Sequence, residues 1–335
     1  MGSLGGRCCL RRKPASPHWK LSEINMKFAF VFPGQGSQSV GMMSAYGDAP
    51  VVRQTFEEAS SSLKLDLWQM VSEGPSDVLS QTVNTQPLML AADVAVYRLW
   101  VERGGATPAM MAGHSLGEYA ALVVAGVIEF RDAIALVRLR AQAMQEAVPD
   151  GRGSMAAILG LDESSVRQVC LEVAHSDVVS CANLNDPGQI VIAGHSGAVS
   201  RAVELAKARG AKRAVPLSVS APFHCSLMTP ASERLLDHLN GIKLQRPEIS
   251  VVNNVDVACY SDVNQIRDAL VRQTYSPVRW IETINFFAQQ RCDHIIECGP
   301  GKVLVKLTRR INHDLFSHSL HDEGAIGDLL AMAGE

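Results

Sequence analysis

The sequence of 335 residues predicts an α/β fold, in which a mostly parallel sheet forms a core and a smaller subdomain is inserted into it. On both sides of residues 151–219, short apolar runs alternate with segments of helical periodicity, a pattern typical of parallel sheets. Within residues 151–219 the order changes to βαββαβ, the ferredoxin-like arrangement. We therefore expect a discontinuous core of residues 26–150 and 220–321, followed by a C-terminal tail, 322–335.

The core elements follow from hydrophobic periodicity. An apolar, aromatic run predicts a first strand over residues 27–32, which ends in a glycine-rich loop at 33–38. The tail after His321 is weakly patterned and predicts at most one final helix. Further helices are predicted over 51–63, 86–104, 130–148, 262–272, 281–290 and 303–311, and further strands over 109–112, 249–253 and 295–298.

The inserted subdomain has four predicted strands and two predicted helices. Asn185–Gly188 carries turn residues and separates the second and third strands. The strands are predicted over 154–159, 178–182, 190–193 and 213–217, and the helices over 162–174 and 196–209.

Composition excludes several classes of function. A formal net charge of -3 argues against non-specific binding to nucleic acid or to a membrane surface. No apolar run approaches the roughly 18 residues needed to cross a bilayer. The eight cysteines form no C-x-x-C pair and no zinc-ligand spacing, so we expect neither a metal nor a cofactor. Scattered single cysteines are typical of a reducing compartment, which predicts a cytoplasmic protein.

Residues 1–25 form a basic leader that we expect to be disordered. It carries five Lys or Arg residues against the single acid Glu23, and it lacks the apolar region of a secretory signal. An organelle transit peptide would have this composition. An extended start ahead of Met26 would also explain it, and we favour that interpretation while organelle import stays open.

The segment Gly113-His114-Ser115-Leu116-Gly117 lies between a predicted strand and a predicted helix. Gly-x-Ser-x-Gly in that position is the nucleophile-elbow pattern, in which a strained turn exposes the serine hydroxyl. The same five residues are also compatible with a plain tight turn between strand and helix. The elbow interpretation therefore requires a base and an oxyanion site elsewhere in the chain.

His224 is the best candidate for the base among ten histidines. It follows Ala-Pro-Phe at a predicted strand end and begins a helical stretch, which is where an α/β sheet places functional residues. A helix cap or an ordinary loop histidine remains the alternative. For the oxyanion site we expect the backbone amides of Leu116 and of Gln35 in the 33–38 loop. That loop lacks the last glycine of a dinucleotide fingerprint and the G-K-[ST] of a P-loop.

Together these features resemble the malonyl-CoA:acyl carrier protein transacylase family. Arg140 and Gln273 occupy corresponding positions between the matching motifs, and the resemblance covers about residues 26–311 in order. The motifs are Phe-Pro-Gly-Gln-Gly-Ser-Gln (32–38), Gly-His-Ser-Leu-Gly (113–117), Ala-Pro-Phe-His (221–224), Val-Val-Asn-Asn (251–254) and Glu-Cys-Gly-Pro-Gly (297–301).

The resemblance implies a hydrolase-like core and a role for each matched residue. Ser115 would take malonyl from coenzyme A, and His224 would be its base, oriented by the backbone carbonyl of Gln273 where hydrolases use an acid. The amides of Gln35 and Leu116 would form the oxyanion hole. In the same family, Arg140 would pair with the free malonyl carboxylate, which suits the planar fork of a guanidinium.

Specificity and partners follow from the same resemblance. Phe223 resembles the malonyl-selecting form of its motif, since a smaller residue would leave room for a methyl branch. The expected partners are malonyl-CoA and an acyl carrier protein, and we expect a monomer. A basic cluster on the last core helix is either a docking patch for the acidic carrier or an ordinary solvated face; it consists of Lys302, Lys306, Arg309 and Arg310.

Three alternatives remain open from the sequence. A serine esterase or thioesterase would share Ser115 and His224 but would pass the acyl group to water. A non-catalytic acyl-CoA-binding protein could retain the elbow as a vestige. The carrier protein could belong to polyketide synthesis rather than to fatty-acid synthesis. Asn183, Asn185 and Gln189 match a further family stretch and are interpreted mainly as turn and strand-end residues.

Overall fold

Parallel pairing joins five strands into the core sheet within the part of the chain that the structure describes. The structure is a computed structural model that describes residues 27–219 and 221–334, so the leader predicted over 1–25 lies outside the described residues. The strands are β1 Phe28–Phe32, β2 Met110–Gly113, β3 Gly153–Leu159, β4 Val179–Asp186, β5 Gln189–His195, β6 Arg213–Pro216, β7 Ser250–Val252, β8 His294–Glu297 and β9 Phe316–Ser319.

The helices cover the faces of this sheet and of the smaller one. They are α1 Pro50–Leu63, α2 Leu67–Glu73, α3 Ser76–Leu79, α4 Thr82–Glu102, α5 Gly117–Val124, α6 Phe130–Glu146, α7 Glu163–Ala174, α8 Ser196–Ala208, α9 Thr229–Asn240, α10 Val263–Gln273, α11 Trp280–Gln289, α12 Val303–Ile311 and α13 Glu323–Gly334. In the described part of the chain, none of them combines the length and the apolar character needed to cross a bilayer.

The core sheet has the strand order β7-β2-β1-β8-β9, and its strands are paired in parallel. Strand β1 is central, and all five of its residues are buried because helices cover both faces of the sheet. The carboxyl ends of β1, β2, β7 and β8 therefore meet at one edge. The loops that follow these strands carry the motifs noted in the sequence.

The inserted subdomain is a four-stranded antiparallel sheet in the order β4-β5-β3-β6, with α7 and α8 packed on it. This order is the ferredoxin-like one, and the predicted fold class is confirmed. Strand β4 also hydrogen-bonds to the core at Val278, whose N–H donates to Ala182 O (2.9 Å) and whose carbonyl accepts from Leu184 N (2.9 Å). The subdomain is thus attached to the core by backbone as well as by its two connections.

Three elements depart from the sequence prediction. The short helices α2 and α3 were not predicted, because segments of seven and four residues are too short for a periodic pattern to stand out. Strand β9 lies where no element is predicted, between the helix over 303–311 and the tail. Its sequence, Phe-Ser-His-Ser, carries almost no apolar pattern, and it forms a strand because β8 offers it an edge. The predicted tail contains the helix α13.

Candidate active site

The elbow between β2 and α5 is so tightly packed that its flanking residues must be glycine. A Cβ at Gly113 would lie 1.8 Å from the backbone carbon of Gly117, and one at Gly117 would lie 2.1 Å from the carbonyl oxygen of Phe32. Between them, Ser115 adopts a φ of 53°, in the left-handed region. The structure therefore has the strained turn that the elbow pattern predicts, with Ser115 on the lining of a pocket.

His224 lies directly beside this serine. Its Nε2 is 2.7 Å from Ser115 Oγ, and its Nδ1 donates to the backbone carbonyl of Gln273 (2.8 Å). The bond at Nδ1 leaves Nε2 as the proton acceptor, so the imidazole is oriented to take a proton from the serine hydroxyl. A peptide carbonyl occupies the position that a carboxylate holds in a Ser-His-Asp triad.

The environment of His224 keeps its imidazole neutral. Burial of the ring, with the positive charge of Arg140 as a second cause, lowers the pKa of His224 to about 3. A neutral imidazole is the form that acts as a base, so near neutral pH the residue is ready to accept a proton.

Arg140 extends from α6 to the same point. Its Nη2 donates to Ser115 Oγ (3.2 Å) and to Gln273 Oε1 (2.9 Å), and its Nη1 donates to Gln86 Oε1 (2.8 Å). The side chain is buried, and the guanidinium lies 5.3 Å from the centre of the Tyr119 ring. Its Nε has no hydrogen-bond partner, and across residues 27–219 and 221–334 no carboxylate forms an ion pair with it.

Burying such a charge without a counter-ion is costly. The neutral amides of Gln86 and Gln273 satisfy hydrogen bonds of Arg140, and the buried Glu118 acts on its charge only at a distance, without a direct ion pair. An anionic group of a ligand, placed next to Ser115, would supply a direct counter-charge.

The loop that contains Gln35 packs closely against the elbow. A Cβ at Gly34 would lie 2.5 Å from the carbonyl oxygen of His114, so only glycine permits this approach. Gln35 and Leu116 both line the pocket, and Leu116 is the N-cap residue of α5. In the described chain neither backbone amide donates to a protein acceptor. Two free N–H groups thus lie beside the serine, one of them at a helix N-terminus.

The pocket has a cavity volume of about 120 Å³ and is lined by both polar and apolar side chains. The polar lining includes Ser115, His224 and Arg140. Phe223 is buried and lines the same pocket. The apolar wall consists of Met144, Met155, Leu217, Val219 and Phe223. A short acyl group fits this arrangement if its charged end points to Arg140.

Asn254 and Glu118 belong to the site, although the sequence analysis assigned them no role. Asn254 Oδ1 accepts a hydrogen bond from Ser115 N (2.8 Å), and its Nδ2 donates to Gly113 O (2.7 Å), so it secures both sides of the elbow. Its position in the motif Val-Val-Asn-Asn was the available signal. Glu118 follows Gly117 and is buried, and burial is the main cause that raises its pKa to about 7.

Gln86 is a third site residue that was not predicted from the sequence. It lies on α4, which is buried on nearly every side, so its position resembles an ordinary core position. Of the residues interpreted as turn and strand-end positions, Asn185 Oδ1 bonds to His114 Nε2 (2.8 Å) and Asn183 lines the pocket. Gln189 begins β5, and its Oε1 accepts a hydrogen bond from Arg310 of α12 (3.2 Å).

In the part of the chain that the structure describes, no group of three or more His, Cys, Asp or Glu side chains is arranged to hold a metal ion. The residues of the pocket instead offer a hydroxyl, an imidazole, a guanidinium and backbone amides. This set is suited to acyl transfer through the serine.

Comparison with known proteins agrees with this chemistry. Residues 29–322 match the model of the acyl transferase domain family. The malonyl CoA-acyl carrier protein transacylase of Escherichia coli (strain K12) is 53% identical over 307 residues, which are 91% of this chain and 99% of that relative. The acyl-carrier-protein S-malonyltransferase of Burkholderia pseudomallei 1710b is similar in structure, with 56% identity, a TM-score of 0.90, and coverage of 91% of this chain and 99% of that one.

A third similar structure is described as a type II PKS acyl-carrier protein in complex with its malonyl-transacylase. It is 52% identical, with a TM-score of 0.90, and the match covers 92% of this chain and 100% of that one. The length, identity and fold of these matches agree with one another. The chain belongs to the acyl transferase family and, within it, to the malonyl CoA-acyl carrier protein transacylases.

Proposed function

We propose that this protein transfers the malonyl group from malonyl-CoA to the phosphopantetheine thiol of an acyl carrier protein, in a ping-pong reaction through malonyl-Ser115. The observation that carries the proposal is the position of Arg140, a buried cation without a direct ion pair, whose Nη2 lies 3.2 Å from Ser115 Oγ. The relatives, a malonyl CoA-acyl carrier protein transacylase and an acyl-carrier-protein S-malonyltransferase, support the same reaction. We propose that the malonyl group supplies fatty-acid synthesis.

In the first half-reaction, Ser115 Oγ attacks the thioester carbonyl while His224 Nε2 takes its proton. The negative charge that develops on the carbonyl oxygen is stabilised by the amides of Gln35 and Leu116. When the C–S bond breaks, the imidazolium returns the proton to the departing thiolate of coenzyme A. The Gln273 carbonyl stabilises the imidazolium by accepting from Nδ1 (2.8 Å).

The second half-reaction reverses these steps with a different thiol. His224 takes the proton of the carrier's phosphopantetheine thiol, whose sulfur attacks the ester carbonyl of malonyl-Ser115. The same two amides hold the oxyanion. The C–O bond to Ser115 then breaks, and the proton on His224 passes to the serine oxygen.

Selection among acyl groups rests on Arg140 and Phe223. The malonyl carboxylate compensates the charge of Arg140, whereas an acetyl group leaves that charge buried and unpaired. Phe223 fills the side of the pocket next to His224 and excludes a methyl branch on the acyl chain.

The carrier protein would dock on α12, which begins just after the loop Gly299–Gly301 at the same sheet edge as Ser115. Lys302 and Lys306 are exposed, and neither forms an ion pair inside the described regions. Arg310 also bonds to Asp186 (3.1 Å) of the inserted subdomain, which fixes the position of the patch relative to the cleft. Basic side chains here would attract an acidic carrier.

The site is assembled from one chain, which supports a monomeric enzyme. Free cysteines are typical of proteins in a reducing compartment, which supports a cytoplasmic location. In the described part of the chain the free cysteines are Cys170, Cys181, Cys225, Cys259, Cys292 and Cys298.

Intact-mass measurement with malonyl-CoA tests the proposal. We expect a malonyl adduct on the wild-type protein that is absent from Ser115→Ala and is discharged when the carrier protein is added. Rapid discharge into water without carrier would instead identify a thioesterase. A protein that acquires no adduct would be a non-catalytic acyl-CoA binder.

A further inference from the structure

Glu118 is a buried acid that the proposed mechanism does not use. It lies in the first turn of α5, three residues after Ser115, and its side chain is 2% exposed. One oxygen, Oε2, accepts two hydrogen bonds, from Asn254 N (3.0 Å) and from Gln273 Nε2 (2.8 Å).

Both of these partners hold reacting groups. Asn254 Oδ1 accepts from the backbone amide of Ser115 (2.8 Å). Gln273 Nε2 donates to the backbone carbonyl of Ser115 (3.0 Å), its Oε1 accepts from Arg140 Nη2 (2.9 Å), and its own carbonyl orients His224. Glu118 therefore lies behind the site, one hydrogen bond away from the residues that fix the nucleophile, the base and the carboxylate anchor.

Glu118 is one of three groups that set the orientation of the Gln273 amide, together with the Ser115 carbonyl and Arg140. A glutamine amide has a donor end and an acceptor end, and the two ends can exchange by rotation. Because Glu118 is an acceptor, it takes the donor end and leaves Oε1 facing Arg140. Without an acceptor at position 118, the Ser115 carbonyl alone would hold the donor end, and an amide that rotated would present its NH₂ to the guanidinium, where two donors repel each other.

We propose that Glu118 is a positioning residue that, by fixing the Gln273 amide and the Asn254 backbone, holds Arg140 at the correct distance from Ser115. The proposal rests on the proposed function, because the distance matters only if Arg140 anchors the free carboxylate of the acyl group. Its consequence is that Glu118 contributes to the choice of malonyl over acetyl without touching either substrate.

The test compares Glu118→Ala with Glu118→Gln by the rate of Ser115 acylation with malonyl-CoA and with acetyl-CoA. The glutamine oxygen can still accept both hydrogen bonds, so the ratio of the two kcat/KM values should stay within about threefold of wild type. Alanine removes the acceptor, and the ratio should fall roughly 10- to 100-fold, as a misplacement of the order of 1 Å would cause.

Glu297→Ala is the matched control. Glu297 is also a buried glutamate that accepts two hydrogen bonds, but it is the last residue of β8, and its partners are the amides of Val303 and Val305 in α12 and not Gln273 or Asn254. Its loss should lower stability and leave the malonyl-to-acetyl ratio as in wild type. If Glu118→Ala does not fold, Glu118→Met fills the same space without an acceptor and replaces it in the test.

Two results would overturn the role of Glu118 alone. One is a wild-type ratio in the alanine or methionine variant, and the other is an equal loss in the glutamine variant, which would point to charge rather than to amide orientation. Failure of the wild-type protein to form any Ser115 adduct would overturn the proposed function, and this proposal with it.

Discussion

His224 Nε2 and Ser115 Oγ lie 2.7 Å apart, and both residues hold a left-handed backbone, with φ of 61° and 53°. A residue with a Cβ pays roughly 1–2 kcal/mol for that conformation. The two strained residues lie on different loops, and their backbone conformations bring the two side chains into contact. This strain is part of how the pair is positioned.

Replacement of Ser115 should therefore show the strain directly. Both Ser115→Gly and Ser115→Ala abolish acylation, but glycine should be the more stable variant by roughly 1 kcal/mol, because it adopts positive φ without a Cβ penalty. Urea unfolding measures the difference.

The control is the same pair of substitutions at Ser232 in α9, where alanine should be the more stable because the backbone is helical. A Ser115→Ala variant as stable as Ser115→Gly would mean that the elbow is not strained.

The α/β class and the ferredoxin-like insertion could be predicted because the two periodicities differ clearly along the chain. The elbow could be predicted because packing at Gly113 and Gly117 allows no side chain, which leaves a visible pattern. The residues that hydrogen-bond to Gln273 and Arg140 from behind the pocket left no such pattern. Glu118 resembles an ordinary acid in a first helical turn, and Gln86 lies on a buried helix, so their contacts with Gln273 and Arg140 needed three-dimensional geometry. The roles of the site residues themselves stay predictions.

Arg140→Ala should lower the preference for malonyl-CoA over acetyl-CoA without abolishing acylation of Ser115. We expect kcat/KM for malonyl-CoA to fall about 100-fold, since two charge-assisted hydrogen bonds to the carboxylate are lost. The value for acetyl-CoA should stay constant or rise, because no buried charge is left unpaired. Measurement of Ser115 acylation with each substrate gives both numbers.

Arg138→Ala is the control on the same helix, since Arg138 donates to Val83 O (2.6 Å) and not to the pocket. An Arg140→Ala variant that still prefers malonyl would refute the carboxylate anchor.

Protonation of His224 should not limit the acylation rate in mild acid. An ordinary histidine base would lose activity below its usual pKa of 6.5, but burial and the charge of Arg140 hold the pKa of His224 at about 3 in the free enzyme. Lowering the pH from about 7.5 to about 5 therefore leaves its imidazole neutral, and kcat/KM should not fall because of this group.

Removing the positive charge of Arg140 should shift the acid limb of the pH–rate profile to higher pH. In Arg140→Ala, the pKa of His224 should rise towards its ordinary value, so kcat/KM for acetyl-CoA should begin to decline at a higher pH than in wild type. Glu118, whose pKa is raised to about 7, also titrates in this range, so the control is Glu118→Gln. A profile that falls tenfold per pH unit below about 6.5 both in wild type and in Glu118→Gln would contradict the account of the base.

Charge reversal on α12 should affect the carrier protein alone. Lys302→Glu with Lys306→Glu should raise KM for the carrier roughly tenfold and leave KM for malonyl-CoA unchanged, because the patch lies outside the pocket. Steady-state transfer with each substrate varied in turn measures both values.

The matched control changes the same number of charges elsewhere, with Lys64→Glu and Lys243→Glu, two exposed lysines outside α12. If the control raises the carrier's KM equally, net charge and not a docking patch is responsible. A rise in KM for malonyl-CoA alone would place the patch on the coenzyme A side.

The central claim is that Ser115 holds an anionic acyl group for a thiol and withholds it from water. The most direct test isolates the malonyl-enzyme and follows its decay by intact mass, with and without holo acyl carrier protein. We predict an adduct that persists in buffer and moves to the carrier thiol within the turnover time. Decay in buffer as fast as decay with carrier, without malonyl-carrier product, would contradict the claim and identify a hydrolase.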